Sequence, residues 1–362
     1  MEIAVTQHQS LEGLGEIWRE LEVQVPRLSF FQSWSWVGCL AEERFADPVL
    51  LQARCGGQLV GLALFNRHRG RLCLGESGDA RLDAPFVEHN GPLALGLPGV
   101  DRALLHAAAG LVGVRRLVLS GVPASLLAEA PGIALRLQQR RAPHVRLEEV
   151  RKAGGDPLAL LSANARHQIR RSAKHYGAPT MRRAESEAEA LTMLDEMMAL
   201  HQRSWLARGK PGAFADPFPR RFHETLVRRA MPRDEIDLLR VEGERGLIGI
   251  LYNFRLRGRV SAYQSGLDLA GAGAHGKPGL TCHAMAIARA VGSGEAIYDF
   301  LGGDDRYKRT LAQHGEALLW AEMVPSRSLT GWALRLRNFA RGHALSHSSK
   351  GSSSAAEGAG PA

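Results

Sequence analysis

The chain has 362 residues, enough for two domains of ordinary size, and its 45% hydrophobic and 23% charged residues are the proportions of a globular protein. A formal charge of +9 suits anionic partners such as phosphate-bearing cofactors, nucleic acid or acidic lipid, without choosing among them. No apolar run approaches the roughly 18 residues of a membrane span, the first residues lack the basic and apolar regions of a secretory signal, and Cys39, Cys55, Cys73 and Cys282 make no C-x-x-C pair, so a cytoplasmic protein without structural zinc is expected.

In the first half, residues 47–55 and 58–69 read as strands joined at Gly56-Gly57, and a turn at Gly70 leads into a strand at 72–76. A long loop follows, then a helix over 98–112, a strand over 114–120, a helix over 123–140 and a strand over 142–150. The second half repeats this rhythm. Residues 235–241, 246–256 and 259–269 are strands of a meander with a tight turn at Arg257-Gly258. Helical spacing resumes through Leu280, Met285, Ile287, Ala288 and Val291, followed by a short strand at 296–301, a helix from 304 and a last strand at 316–324. One unit recurring at this scale predicts an α/β protein of two similar domains, 1–155 and 156–327.

Residues 328–345 carry Leu329, Trp332, Leu336 and Phe339 at helical spacing, with Arg335, Arg337 and Arg341 around them. That is a basic amphipathic helix, which either packs on its own domain or makes peripheral contact with an anionic membrane. Residues 346–362 hold almost no large apolar side chain and are expected to be disordered.

The stretch "GAGAHGKPGL" (271–280) satisfies both G-x-x-x-x-G-K and G-x-G-x-x-G. A P-loop needs Ser or Thr after its lysine, and Pro278 stands there instead. The preceding strand belongs to an antiparallel meander, whereas P-loop and Rossmann turns leave a parallel strand. There remains a turn into a helix that begins at Pro278 and Gly279. Its free N–H groups, its dipole and Lys277 would attract a pyrophosphate.

The order of meander, loop, helix, strand, helix and strand resembles the GNAT acyltransferase core. "SFFQSWSW" (29–36), "SANARHQIRRSAKHYG" (162–177), "LHQRSWLARGKPGAF" (200–214), "YQSGLD" (263–268), "KPGL" (277–280) and "YDFLGGDDRYKRTLA" (298–312) are similar to the tandem-GNAT branch that includes FemABX-type peptidyltransferases and CelD-like or BioF-associated acetyltransferase-like proteins. The resemblance implies two tandem GNAT-like domains with mixed, mostly antiparallel sheets flanked by helices. It further implies that an acyl-CoA, acetyl-CoA among the candidates, binds with its pyrophosphate at Lys277, Pro278, Gly279 and Leu280, and that Asp299 lies on the strand whose divergence opens the active cleft.

Acyl transfer to an amine needs a base and donors for the oxyanion, but no covalent nucleophile. No G-x-S-x-G elbow is present, and Cys282 reads as a core thiol. Asp299, an acid in an apolar strand, is either a base of raised pKa or is bonded to neighbouring N–H groups or an arginine such as Arg306. Tyr307 either donates a proton to the leaving group or packs, and Lys308 favours phosphate or carboxylate. His201 and Trp205 share a helix face and, with Lys210, frame an acceptor pocket or simply pack, while Tyr263 and Gln264 can line the same cleft. Arg166, Arg170, Arg171 and Lys174 form a basic helix, which is either a solvated face or a surface for a nucleotide or tRNA.

The expected activity is transfer of an acyl group from acyl-CoA to a small-molecule or sugar amine, in cell-envelope or exopolysaccharide synthesis. The alternatives are an aminoacyl-tRNA-dependent transferase of FemABX type and a non-catalytic accessory protein of polysaccharide synthesis.

Overall fold

Both halves of the chain build the same succession of elements. The computed structural model describes residues 2–8, 12–83 and 85–334. The first half runs β1 (Ile3–His8), α1 (Leu14–Gln24), α2 (Trp34–Glu43), β2 (Pro48–Cys55), β3 (Gln58–His68), β4 (Arg71–Leu74), β5 (Leu93–Ala94), α3 (Val100–Gly110), β6 (Arg116–Pro123), α4 (Ala124–Glu129), β7 (Ile133–Arg146) and α5 (Leu147–Lys152). The second runs α6 (Ala163–Tyr176), β8 (Thr180–Arg183), α7 (Glu187–Leu206), α8 (Pro217–Ala230), β9 (Ile236–Gly243), β10 (Gly246–Leu256), β11 (Arg259–Leu267), α9 (Pro278–Gly292), β12 (Ile297–Asp299), α10 (Arg306–Leu311) and β13 (His314–Val324). With β5, α5 and α6 set aside, the order β-α-α-β-β-β-α-β-α-β occurs twice, the mark of a duplicated unit. Helices begin where side chains take up free N–H groups: Ser33 caps α2, Ser162 α6, Ser186 α7 and Asp216 α8.

The strands make one sheet in the order β1-β2-β3-β4-β6-β13-β7-β12-β11-β10-β9-β8. In each half four antiparallel strands meet a fifth through a parallel pairing, β4 with β6 and β11 with β12. The last strand of each half then crosses over. β7 pairs with β12 of the second half, β13 pairs with β6 of the first, and β7 and β13 pair with each other.

The expected helix over 123–140 ends at Glu129. Pro131 and Gly132, whose φ of 103° suits glycine, stop α4. From Ile133 the chain joins the long ladder against β13, where pairing overrides local helical spacing. The strand expected at 142–150 is the end of β7, and α5 takes the remainder. The meander and the helix after it fall close to their expected places, β10 at 246–256 among them.

The largest core joins the halves. Trp18 and Leu21 of α1 and Phe30, Phe31 and Trp36 around α2 are buried with Met193 and Met197 of α7, Phe222 of α8 and Phe254 of β10. The Trp36 ring lies 4.9 Å from Phe31 and 5.2 Å from Phe222. Two further clusters form under α3 and α9, on the opposite side chains of the alternating strands. The units expected at 1–155 and 156–327 therefore share both a core and a sheet. The chain is helical again at 329–334, where Leu329 is 90% and Trp332 58% exposed. The rest of the expected amphipathic helix, and the tail 346–362, lie outside the described residues. Among the described residues no helix is long and apolar enough to cross a membrane.

Candidate active site between the two halves

Sheet pairing decides where the site lies. β11 and β12 pair only at Arg259 with Ile297, Val260 with Tyr298 and Ser261 with Asp299, and part beyond them. At the same point β11 bulges: Tyr252 faces Gln264 and Asn253 faces Ala262, which leaves Tyr263 unpaired, and a bulge re-aims its side chain. The splay opens a cleft of about 440 Å³, within the size range of small-molecule sites. Six of the residues singled out from the sequence, His201, Trp205, Tyr263, Gln264, Tyr307 and Lys308, line it together. Lys210 is not among its lining residues and sits over the Trp205 ring at 5.6 Å. Phe86, Glu88 and Arg140 of the first half and His283 of α9 also line it. Sequence reasoning missed these four. His283 was legible only as one polar residue on an apolar helix face, and Glu88 as one acid in a long loop.

Asp299 does not line the cleft. It is fully buried where β11 and β12 part, and its carboxylate pairs with His89 Nε2 at 2.8 Å and with Arg259, and accepts the Leu301 N–H at 2.8 Å. Burial alone would raise its pKa, but His89 and Arg259 outweigh burial and hold the carboxyl well below the usual carboxylate range. Of the two readings of Asp299, the base of raised pKa is corrected and the acid bonded to a neighbouring N–H group and an arginine stands, with Arg259 rather than Arg306 as the arginine and His89 added.

The cation that changes Asp299 arrives on a strap from the first half, "FVEHN" (86–90). Glu88 Oε2 accepts the Gly302 N–H, and His89 reaches Asp299. His89 has φ 47° and Leu301 φ 58°. Left-handed backbone costs a non-glycine residue about 1–2 kcal/mol, so the bonds on either side of this contact hold two strained residues in place. Asn90 ends the strap by closing the equivalent splay of the first half: its Nδ2 donates to Leu74 O at 2.8 Å and Ser120 O at 3.1 Å, and its backbone N–H to Gly121 O at 3.0 Å. Asp101 also occupies the first turn of α3, the counterpart of α9, where it disfavours an anionic ligand. What opens at the start of α3 is a smaller cavity of about 220 Å³, with Asp101 and Glu129 among its lining residues.

The start of α9 has the features of an anion site. Among the described residues the N–H groups of Gly279 and Leu280 meet no acceptor, and Pro278 has none to offer. Lys277 is exposed, and its backbone N–H donates to Ser172 Oγ at 2.8 Å, which fixes the turn against α6. The Leu280 side chain is buried in the core, so only its amide is available. None of Lys277, Pro278, Gly279 and Leu280 is among the residues that line the cleft; the link is Leu267, which lines it and which a Cβ on Gly279 would touch at 3.4 Å.

Burial sets the protonation of the cleft. It pushes His283 down to about 3, so its imidazole stays neutral; Nδ1 lies 2.9 Å from the Tyr298 hydroxyl, and the ring stacks on Tyr307 at 5.2 Å. Burial also raises the Tyr307 hydroxyl, which keeps its proton, and lowers the Lys308 ammonium, which bonds Leu301 O at 3.3 Å and Gly302 O at 2.8 Å. Cys282 is fully buried, and burial raises its thiol, as expected of a core residue. Among the described residues no group of three or more His, Cys, Asp or Glu side chains is arranged to hold a metal ion.

Residues 163–309 match the family of acetyltransferase (GNAT) domains. No curated protein matches the chain. Among solved structures the chain is similar to the C-terminal domain of an Agrobacterium fabrum protein named as a lysylphosphatidylglycerol synthetase, at 13% identity and a TM-score of 0.56 over 90% of this chain and 96% of that one. It is similar to FemX, at 11% identity and a TM-score of 0.55 over 89% and 97% of the two chains. A third similar structure is L-PGS from Bacillus licheniformis, at 13% identity and a TM-score of 0.54 over 87% and 93%. At such identities the likeness is one of fold. The match spans the part of the chain that carries the splayed strands, and the chain is an acyltransferase whose two halves repeat one succession of elements.

Proposed function

We propose that the protein transfers an acyl group from an acyl-CoA to a primary amine held in the cleft between its halves. The observation that carries this reading is the free start of α9 beside Leu267 of the cleft wall, where the Gly279 and Leu280 amides and Lys277 suit a pyrophosphate. A thioester reaching from there into the splay would meet Tyr307, whose hydroxyl keeps its proton and can pass it to the leaving thiolate. The neutral His283 and the Lys308 ammonium are the side-chain donors nearest in kind to what a developing oxyanion needs. The acceptor is an amine on a sugar or amino acid of the cell envelope, a reading supported by the fold shared with a protein named for lysylphosphatidylglycerol synthesis. Melting the protein with and without CoA and a series of acyl-CoAs tests the donor: a ligand bound only by the native state raises the melting temperature. An unshifted melt across the series would sink the acyl-CoA reading.

A second reading, aminoacyl-tRNA as donor, is favoured by α6. Arg170, Arg171 and Lys174 are exposed on it, and Arg171 reaches His275 of the glycine loop at 2.7 Å. Binding of unfractionated tRNA that falls steeply with salt and is lost on replacing these three residues by Ala would move the donor assignment to RNA.

A further inference from the structure

Glu88 is the one carboxylate that the first half places in the wall of the second half's cleft, and it is bound by only one of its oxygens. Its Oε2 accepts the Gly302 N–H, while Oε1 accepts no hydrogen bond and lies within ion-pair distance of no cation among the described residues. The residue is 7% exposed and lines the cleft. The free oxygen is not among the buried unpaired atoms, so it stays open to the cleft, where a ligand can meet it. The position is also built with care. Gly302 lacks a Cβ that would stand 2.9 Å from Oε1, and His89, next to Glu88 in the strap, is locked to Asp299. Phe86, Tyr263, Phe300 and Tyr307 are among the cleft walls, with Arg140, Arg208 and Lys308 as its cations and Glu88 and Asp305 as its acids; the aromatic faces suit an ammonium, and Glu88 is the carboxylate that the first half offers it.

We propose that Glu88, supplied by the first half, is the base of the reaction and that the acceptor enters the cleft as an ammonium. This rests on the acyl transfer proposed above. One proton of the ammonium passes to Glu88 Oε1 and then to solvent. The freed amine attacks the thioester carbonyl, the C–N bond forms and the C–S bond breaks. The amide nitrogen sheds its second proton, and the leaving thiolate takes one up. Burial raises the Glu88 carboxyl, with the Gly302 amide, Lys308 and His89 pulling down and Asp299 pushing up. The carboxyl therefore sits above the ordinary carboxylate range and is better matched to an amine than an exposed glutamate.

The test is Glu88→Gln, which can still accept the Gly302 N–H through its amide oxygen and so preserves position while removing the proton acceptor. CoA thiol release is followed for acyl-CoA donors with a series of amines of falling pKa, at several pH values, on protein whose melting temperature matches wild type. For alkylamines, turnover should fall by roughly 10²-fold with KM for the donor unchanged. The residual rate should rise about tenfold per pH unit as free amine accumulates. Hydroxylamine, already neutral at pH 7, should be used by the variant almost as well as by wild type after subtraction of the uncatalysed rate. Should Glu88→Gln not fold, Glu88→Ala with added formate replaces it, and recovery of the rate by formate is the expected result. Wild-type turnover with an unchanged variant, or a loss equal for all amines, overturns the role of Glu88 alone. No thiol release by wild type with any pair overturns the transfer reading and this one with it.

Discussion

His89 and Asp299 form a buried ion pair at 2.8 Å, and the two residues come from different halves of the chain. Each shift follows from the other's charge. Asp299 is held below its ordinary range although burial opposes this, and His89 is held above 6.5 although burial would lower it. The depressed Asp299 stabilises the fold above its unfolded value of 3.8, and that stability is lost as pH falls through the lower folded value. The raised His89 stabilises below 6.5, and that stability is lost as pH rises through its higher folded value. Asp299→Asn should therefore destabilise most between about pH 4 and 6.5, by roughly 3–5 kcal/mol as for other broken buried pairs. Denaturant melts of wild type and variant across pH 3 to 9 check this. A difference that does not vary with pH would exclude the ion-pair role.

Lys277→Glu replaces a cation with an anion at the mouth of the α9 start, where Lys277 is exposed and its side chain supports no other contact. The fold should be unaffected, and the rise in melting temperature produced by CoA should vanish. Retention of the full shift would move the pyrophosphate elsewhere.

Gly302→Ala puts a methyl 2.9 Å from Glu88 Oε1. Gly302 has no left-handed backbone to strain, so the effect should fall on the carboxylate rather than on the fold. Turnover should drop by up to about 10²-fold, the scale of a misplaced reacting group, with little change in melting temperature. A variant as active as wild type would show that the carboxylate can shift without consequence.

Trp36→Ala removes a fully buried ring that touches both halves of the core. A loss of about 3–5 kcal/mol is expected, in a single transition, because the halves share this cluster. Two separate transitions by calorimetry would mean that the halves unfold independently.

The parts of this picture that were legible in the sequence are the local ones. The apolar run over 246–256 between two turns is legible as β10, and the spacing from Leu280 to Val291 as α9, because these signals lie within each element's own residues. Tyr307 and Lys308 were legible as site residues because α10 follows β12 after a short turn, so whatever the splayed strands enclose, they are beside it. What escaped depends on partners distant in sequence. Residues 133–140 have helical spacing of their own and become part of β7 only because β13, from the end of the other half, offers them a ladder. Asp299 looks like an unpaired acid until His89 is placed against it, and nothing near either residue announces the other. Glu88 belongs to the same class, since its meaning comes from Gly302.

The exchange of last strands also constrains how the protein is made. β7 leaves the ribosome long before β12 and β13 exist, so its backbone donors and acceptors must wait unpaired through the synthesis of the whole second half. The first sheet is likewise left with an open edge at β6 until the final strand arrives. Arg136, Arg140 and Arg141, exposed along β7, place like charges on that waiting ribbon. Their mutual repulsion would keep nascent copies apart on a polysome during the interval when edge-to-edge pairing is the chief hazard.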